Sequence, residues 1–454
     1  MVTSPQISLR NIYLSLGERP IFENLNLLIQ PRDRIALVGR NGVGKSTLLK
    51  VLQGSVLQDE GDRMLSKGLS IGYMEQDPNL SEFSTLYDYV YSGASESNLH
   101  LIEMTGKNLG VNFDIAIDAS SGGERRRAAL TKLIAADHDI MLFDEPTNHL
   151  DLEAIEWLES ELKYSSKSFV IISHDRMFLS NLTNDTVWVD RGTARRCSVG
   201  FGGFEAWRDK IWQEEDDKMH KLKRKILSES RWAVEGISAR RKRNQGRLKN
   251  LEKLRNRKKS YIRRAGAANM KLVSEKKSGQ MVLDAKNLNK KFANKCIIND
   301  FSIQIKRGDR IGIVGPNGIG KTTLLKILLN EIQPDSGEVK LGSNLIIAKF
   351  DQLREQLNLE NSLLQNLADD PNIQTIGTAG QILVRGKPKH IAGYLKGFLF
   401  SETQLRSPVK SLSGGEKARL LLAKIMAKES NLLILDEPTN DLDLETLDLL
   451  QEVI

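Results

Sequence analysis

Sixteen residues occur twice in this chain with few changes, as IALVGRNGVGKSTLLK at 35–50 and IGIVGPNGIGKTTLLK at 311–326. Two further strings repeat in the same order: SSGGERRRAAL (120–130) as LSGGEKARLLL (412–422), and MLFDEPTNHLDLE (141–153) as LILDEPTNDLDLE (433–445). The last two strings share one offset and the first has a smaller one, so the second copy is longer between the first and second landmarks. A repeat covering most of the length predicts two domains built on one plan, and 454 residues is ample for each to bury its own core.

In each copy an apolar segment, IALV or IGIV, reads as a strand entering a glycine-rich loop that opens a helix. The spacing G-x-x-x-x-G-K-[ST] is met by Gly39, Arg40, Asn41, Gly42, Val43, Gly44, Lys45 and Ser46, followed by Thr47. It is met again by Gly315, Pro316, Asn317, Gly318, Ile319, Gly320, Lys321 and Thr322, followed by Thr323. Glycines let backbone N–H groups turn inward around phosphates, the helix start adds partial positive charge, and Lys45 or Lys321 supplies a full one. Ser46 and Thr322 are the expected Mg2+ ligands. Downstream, MLFD and LILD read as buried strands that end in an acidic pair. Asp144 and Asp436 are expected to bind Mg2+ through water, while Glu145 and Glu437 are placed to polarise an attacking water. Ser121, Gly122, Gly123 and Glu124, and again Ser413, Gly414, Gly415 and Glu416, begin a basic helix at the same distance before each of these glutamates. Such a helix start is suited to bind an anion.

Charge is distributed unevenly. The formal net charge is +8, but residues 207–277 hold 24 Lys and Arg against 9 Asp and Glu, a net of +15, leaving the remainder at −7. Leu222 with Ile226, and Leu248, Leu251 and Leu254, recur at helical spacing here, and the pattern loosens around Gly236. The segment 204–280 is therefore expected to be a basic helical hairpin between two cassettes, 1–203 and 281–454. Cys197 and Cys296 sit in no metal-ligand or redox spacing, as in a reducing compartment. No apolar run approaches the roughly 18 to 20 residues that span a bilayer, and MVTSPQISLRN lacks the order of a signal peptide, so the expected location is cytoplasmic.

The paired P-loops, the SGGE segments and the DEPTN strings together resemble the ABC ATPases, and the resemblance covers everything except the central helices. It implies an α/β fold of two P-loop cassettes, hydrolysis of ATP to ADP and phosphate, and two ATP molecules held between cassettes arranged head to tail. Each SGGE segment would contact the nucleotide of the opposite cassette. Gln76 and Gln352, equally far past their P-loop lysines, look like the glutamine that senses Mg2+ and the attacking water. His174, in IISHDRMF, looks like the histidine that contacts the γ-phosphate, and Asp151 and Asp443 like residues linking the two sites. Phe292 sits where an aromatic stacks on adenine; Leu16 holds that place in the first copy.

DEPTNHLDLE, DEPTNDLDLE and the basic linker are most similar to the ABC-F family, whose members act on ribosomes and extend the hairpin toward tRNA. ISARRKRNQGR (237–247) and VRGKPKHIAGYLKGFLF (384–400) resemble a bacterial branch of it that is also linked to DNA transactions. The implied function is a ribosome-associated ATPase acting in translation or assembly, with a DNA-structure binding ATPase as the alternative and no transmembrane subunit. The second cassette is expected to be incomplete, since the counterpart of Ile171 to His174 is not in the sequence, and its sheet to close poorly. The stretch from Gln76 to Ser121, shorter than that from Gln352 to Ser413, leaves little room for the arm usual in the family's first cassette.

Overall fold

The computed structural model describes residues 4–451 apart from 18, 76–77, 79, 149, 236–247, 256–278, 293–294, 351–356, 372, 374, 377–379, 385–386, 437–445 and 448–449. The first half opens with β1 (Ile7–Leu16), β2 (Arg19–Ile29) and β3 (Arg34–Val38), then α1 (Lys45–Gln53), β4 (Glu60–Leu65) and β5 (Ile71–Met74). Three helices follow, α2 (Leu86–Tyr91), α3 (Leu99–Asn108) and α4 (Gly122–Ala135). The half closes with β6 (Ile140–Asp144), α5 (Leu152–Tyr164), β7 (Ser168–Ile172), α6 (Arg176–Leu182), β8 (Asp185–Asp190) and β9 (Thr193–Cys197).

Its main sheet has the order β5-β6-β7-β3-β8-β9, all neighbours parallel except β8 with β9. Alternate side chains face opposite layers, and the central strands read as apolar runs because both faces are covered. Ile35, Leu37, Ile140, Leu142, Val170 and Ile172 pack toward α1 and the antiparallel sheet β2-β1-β4. Ala36, Val38, Met141, Phe143, Phe169 and Ile171 pack toward α5 and α6. The P-loop strand β3 thus sits at the middle of a closed three-layer core, and the P-loop, Glu145 and His174 all follow the carboxyl ends of its strands.

From β9 the chain enters α7 (Phe201–Glu235), whose first turn is anchored by Phe201 and Phe204 and whose later turns are mostly exposed. Residues 248–255 form a helix, α8, which folds back on α7: Arg255 donates to Ser230 Oγ at 3.1 Å and Leu251 is buried. The expected turn at Gly236 lies outside the described residues.

The second half comprises β10 (Met281–Phe292), β11 (Lys295–Lys306), α9 (Lys321–Leu328), β12 (Ser336–Leu341), β13 (Ile347–Phe350), α10 (Leu363–Ala368), β14 (Thr375–Ile376), β15 (Gln381–Val384) and β16 (Lys387–His390). It continues through α11 (Ile391–Gly397), α12 (Glu402–Leu405), α13 (Gly414–Ala427) and β17 (Leu432–Leu435). The repeat holds at backbone level: Asn11 and Asn287 both have φ 50°, and the sheet β11-β10-β12 copies β2-β1-β4. The additional residues of this half include the small antiparallel sheet β14-β15-β16.

IGIV, expected as a strand, is not one. Residues 311–314 carry no regular structure, and Val314 is 82% exposed where its counterpart Val38 is 4% exposed. In the first half β3 is paired on both sides, by β7 and β8. Among the described residues no strand flanks 311–314. A segment without neighbouring strands leaves its N–H and C=O groups to water and gains nothing from extension. The parallel pair β13–β17 forms, but β17 is only partly buried and stops before Asp436, unlike the fully buried β6.

Candidate functional site

The first P-loop bridges β3 and α1 and is shaped by its glycines. Gly44 has φ 98°, and a Cβ there would meet Ile21 Cγ2 at 2.5 Å, so glycine is required on both conformational and packing grounds. Lys45 is 8% exposed and its Nζ spans the loop, donating to Gly39 O at 2.7 Å, Arg40 O at 3.3 Å and Asn41 Oδ1 at 3.2 Å. A buried ammonium ringed by loop carbonyls and close enough to Asp144 to act on its carboxyl is placed to meet an anion in the loop.

Asp144, at the end of β6, is 2% exposed and accepts a hydrogen bond from Ser46, while its Oδ2 has no hydrogen-bond partner among the described residues. Burial pushes the Asp144 carboxyl up to about 6; the Ser46 hydrogen bond opposes the rise and Glu145 adds to it. A hydroxyl and a buried carboxylate with one unclaimed oxygen are hard donors of the kind Mg2+ takes, so the residues fit that ion.

Glu145 is 6% exposed and has φ 53°, a left-handed backbone that costs a non-glycine residue about 1 kcal/mol or more. Its N–H donates to Ile172 O at 2.9 Å, which ties the strained residue to β7. Glu145 Oε1 lies 3.1 Å from His174 Nε2, just past the end of β7. In the same two loops Thr147 Oγ1 and Ser173 Oγ are 3.0 Å apart and buried, a second lateral tie between them. This Thr–Ser pair escaped the sequence reading; its only trace was that Thr147 lies in DEPTN and Ser173 beside His174.

The structure brings together Gly39–Ser46, Asp144, Glu145 and His174. Gln76 lies outside the described residues. Asp151 caps α5, accepting from Ala154 N at 3.1 Å. In the second half Lys321 Nζ repeats the lysine geometry, donating to Gly315 O at 2.7 Å and Pro316 O at 3.0 Å, and Thr322 donates to Asp436 at 3.0 Å. Gln352, Glu437 and Asp443 fall outside the described residues. Leu16 and Phe292 occupy matching strand ends and are exposed, with Lys290 Nζ 5.5 Å from the centre of the Phe292 ring.

Both SGGE segments form reciprocal caps. Ser121 Oγ accepts from Glu124 N at 3.3 Å while Glu124 accepts from Ser121 N at 2.8 Å; for Ser413 and Glu416 the distances are 3.3 and 2.9 Å. The hydrogen bonds from Ser121 hold the Glu124 carboxyl below its usual range. Ser120, where the second copy has buried Leu412, accepts from Arg125 Nε at 2.9 Å and fastens that side chain to the cap. Each signature helix packs within its own half, α4 against α2, α3 and β5, and α13 against β13 and β15.

The family model described as ABC transporter matches residues 22–148 and 298–440. "ATP-binding protein Uup" of Caulobacter vibrioides is 43% identical over 99% of this chain and 73% of its own length, and the Escherichia coli protein of the same name is 36% identical over 99% and 76%. The "Energy-dependent translational throttle protein EttA" of Haemophilus influenzae is 32% identical over 96% of this chain and 84% of that one. Among solved structures, the complex of archaeal ribosomal stalk protein aP1 with the ribosome recycling factor aABCE1 matches with TM-score 0.63 and 20% identity, over 96% of this chain and 79% of the other. That last likeness concerns the fold.

Proposed function

The chain belongs to the ABC family of ATPases, in the ABC-F branch with Uup, and from that premise we propose that it couples ATP binding and hydrolysis to a change in the ribosome during translation or assembly. Binding and hydrolysis of ATP follow from the family. The single observation supporting the ribosomal reading is the distribution of charge: residues 207–277 carry a net +15 against −7 for the rest of the chain, and nearly all of the excess follows residue 235, past the end of α7, whose own acidic and basic residues balance. A 35-residue helix is about 50 Å long, enough to carry that charge well away from the ATP sites. Lysines and arginines on such an element neutralise phosphates with little regard for sequence. One relative's name, translational throttle protein, points the same way. No helix among the described residues is long and apolar enough to cross a membrane.

On this reading residues 1–203 and 281–454 are the cassettes and 204–280 the hairpin. Lys45 neutralises phosphate charge, the α1 start supplies N–H donors, Glu145 takes up the proton of the attacking water, and His174 keeps Glu145 aligned while reaching the γ-phosphate. Ser46 and Asp144, with Thr322 and Asp436 in the second half, would hold Mg2+, which supplies positive charge opposite the phosphate oxygens. The SGGE segments of each half would close over the other half's nucleotide.

The test uses the doubly substituted Glu145→Gln, Glu437→Gln chain, which keeps the binding groups and loses water activation. It should co-sediment with ribosomes in ATP and much less without nucleotide. Nucleotide-independent partition, with ATP-dependent retention on branched DNA instead, would replace the ribosomal reading with the DNA-structure alternative.

A further inference from the structure

The turn between β8 and β9 touches three things at once: the P-loop, β2 and α7. At its start Val189 O faces Gly39, the first P-loop residue, so closely that a Cβ on Gly39 would approach that oxygen to 2.6 Å. Asp190 follows, with the P-loop's Arg40 among the cations whose charge opposes the effect of its burial. Arg191 turns the chain with φ 49°, and Gly192 O accepts from Glu23 N of β2 at 2.9 Å. The turn is thereby wedged between β2 and the loop that holds the phosphates.

From the other side it is gripped by α7. Glu215, on the fourth turn of α7 and 15% exposed, accepts from Arg191 Nη1 at 3.4 Å through Oε2 and from Arg195 Nη1 and Nη2 at 3.3 Å through Oε1. Arg191 Nε in turn lies 3.4 Å from Asp190 Oδ2. Apolar contacts reinforce the joint: Phe204, Trp207 and Trp212 of α7 each meet the ring of Trp188, on β8, edge-on at 6.1–6.2 Å. Trp188 is itself the β8 partner of Val38, the last residue of β3 before the P-loop.

We propose that Glu215 is a positioning residue for the first ATP site: through Arg191 and Arg195 it fixes the β8–β9 turn against Gly39 and Arg40. The angle at which α7 leaves the cassette then sets how well the P-loop is held for nucleotide. By linkage, nucleotide binding biases that angle to the same extent. This is a route from ATP to hairpin within the first half, and it rests on reading Gly39–Ser46 as a nucleotide site.

The experiment uses the full chain carrying Glu437→Gln, so that turnover reports the first site, with Glu215→Gln and Glu215→Asp added in turn. Glutamine keeps the length and helix propensity of the side chain, and far-UV circular dichroism verifies that α7 persists. Glu215→Gln should raise KM for ATP about 3- to 5-fold, the size expected of a partly exposed ion-pair network, with kcat within about twofold. Glu215→Asp should recover part of the loss, and the salt dependence of KM should flatten in Glu215→Gln. Unchanged KM, or parallel loss of kcat, KM and folded protein without rescue by Asp, overturns the proposal. Lys45→Ala, compared in a chain whose second P-loop is disabled by Lys321→Ala so that nucleotide binding reports the first site, separates the two levels: if it leaves that binding intact, the site reading fails and the proposal with it. If it abolishes binding while Glu215→Gln leaves KM unaltered, only the coupling is refuted.

Discussion

Glu145 Oε1 and His174 Nε2 stand 3.1 Å apart, though well separated along the chain, because β6 and β7 are adjacent parallel strands whose carboxyl ends present both side chains to one point. With Thr147 and Ser173 tying the same two loops, the two groups are held before any substrate arrives. His174→Ala should therefore lower kcat about 100- to 1000-fold, as loss of one preorganised donor commonly does, with a small change in ATP affinity. Glu145→Gln should do at least as much. Single-turnover kinetics check both, and near-parental turnover in either variant would remove that residue from the mechanism.

Asp144 carries a pH signature. Its ordinary pKa of 3.8 is raised to about 6, chiefly by burial, so the folded chain holds a proton that the unfolded chain has already released. The associated stability is complete below about pH 4 and is lost as pH rises to about 6. In protein freed of nucleotide and divalent metal, Asp144→Asn should raise Tm at pH 7, and the advantage should shrink toward pH 4. A gain that grows on acidification would contradict this sign.

The two P-loops differ in what supports them. Amides at 35–38 lie in the central strand and should be strongly protected from hydrogen exchange, whereas those at 311–314 should exchange near the unprotected rate. Turnover should follow the same division: Glu145→Gln alone removes most ATPase activity and Glu437→Gln alone leaves most of it. The reverse assignment from single-variant assays would mean that the ordered site is not the active one.

The hairpin prediction concerns Arg240, Arg241, Lys242 and Arg243, which lie outside the described residues. Replacing all four with Ala should weaken ribosome or nucleic-acid binding and reduce its salt slope by about 0.7 to 0.9 for each phosphate no longer neutralised, with ATP binding unchanged. A salt titration of binding, read beside a nucleotide-binding assay, measures both; identical slopes would leave the charge without this role.

Some of this molecule is fixed locally, and the sequence determined it alone. Gly44 must adopt φ 98°, Ser121 and Glu124 cap each other within one helical turn, and Lys45 reaches carbonyls of the loop just before it; these depend on neighbours in the chain, so motif spacing suffices. The doubled α/β plan and the basic helical segment were legible for the same reason, since periodicity and charge are local properties. Only the tertiary structure decided the fates of IALV and IGIV. The two are nearly the same string, yet one is a central strand of a six-stranded sheet and the other lies exposed, because a strand exists through hydrogen bonds to strands far away in sequence. The same holds for Thr147 with Ser173 and for Arg191 with Glu215, side chains of ordinary type whose meaning comes from packing partners that no spacing rule connects.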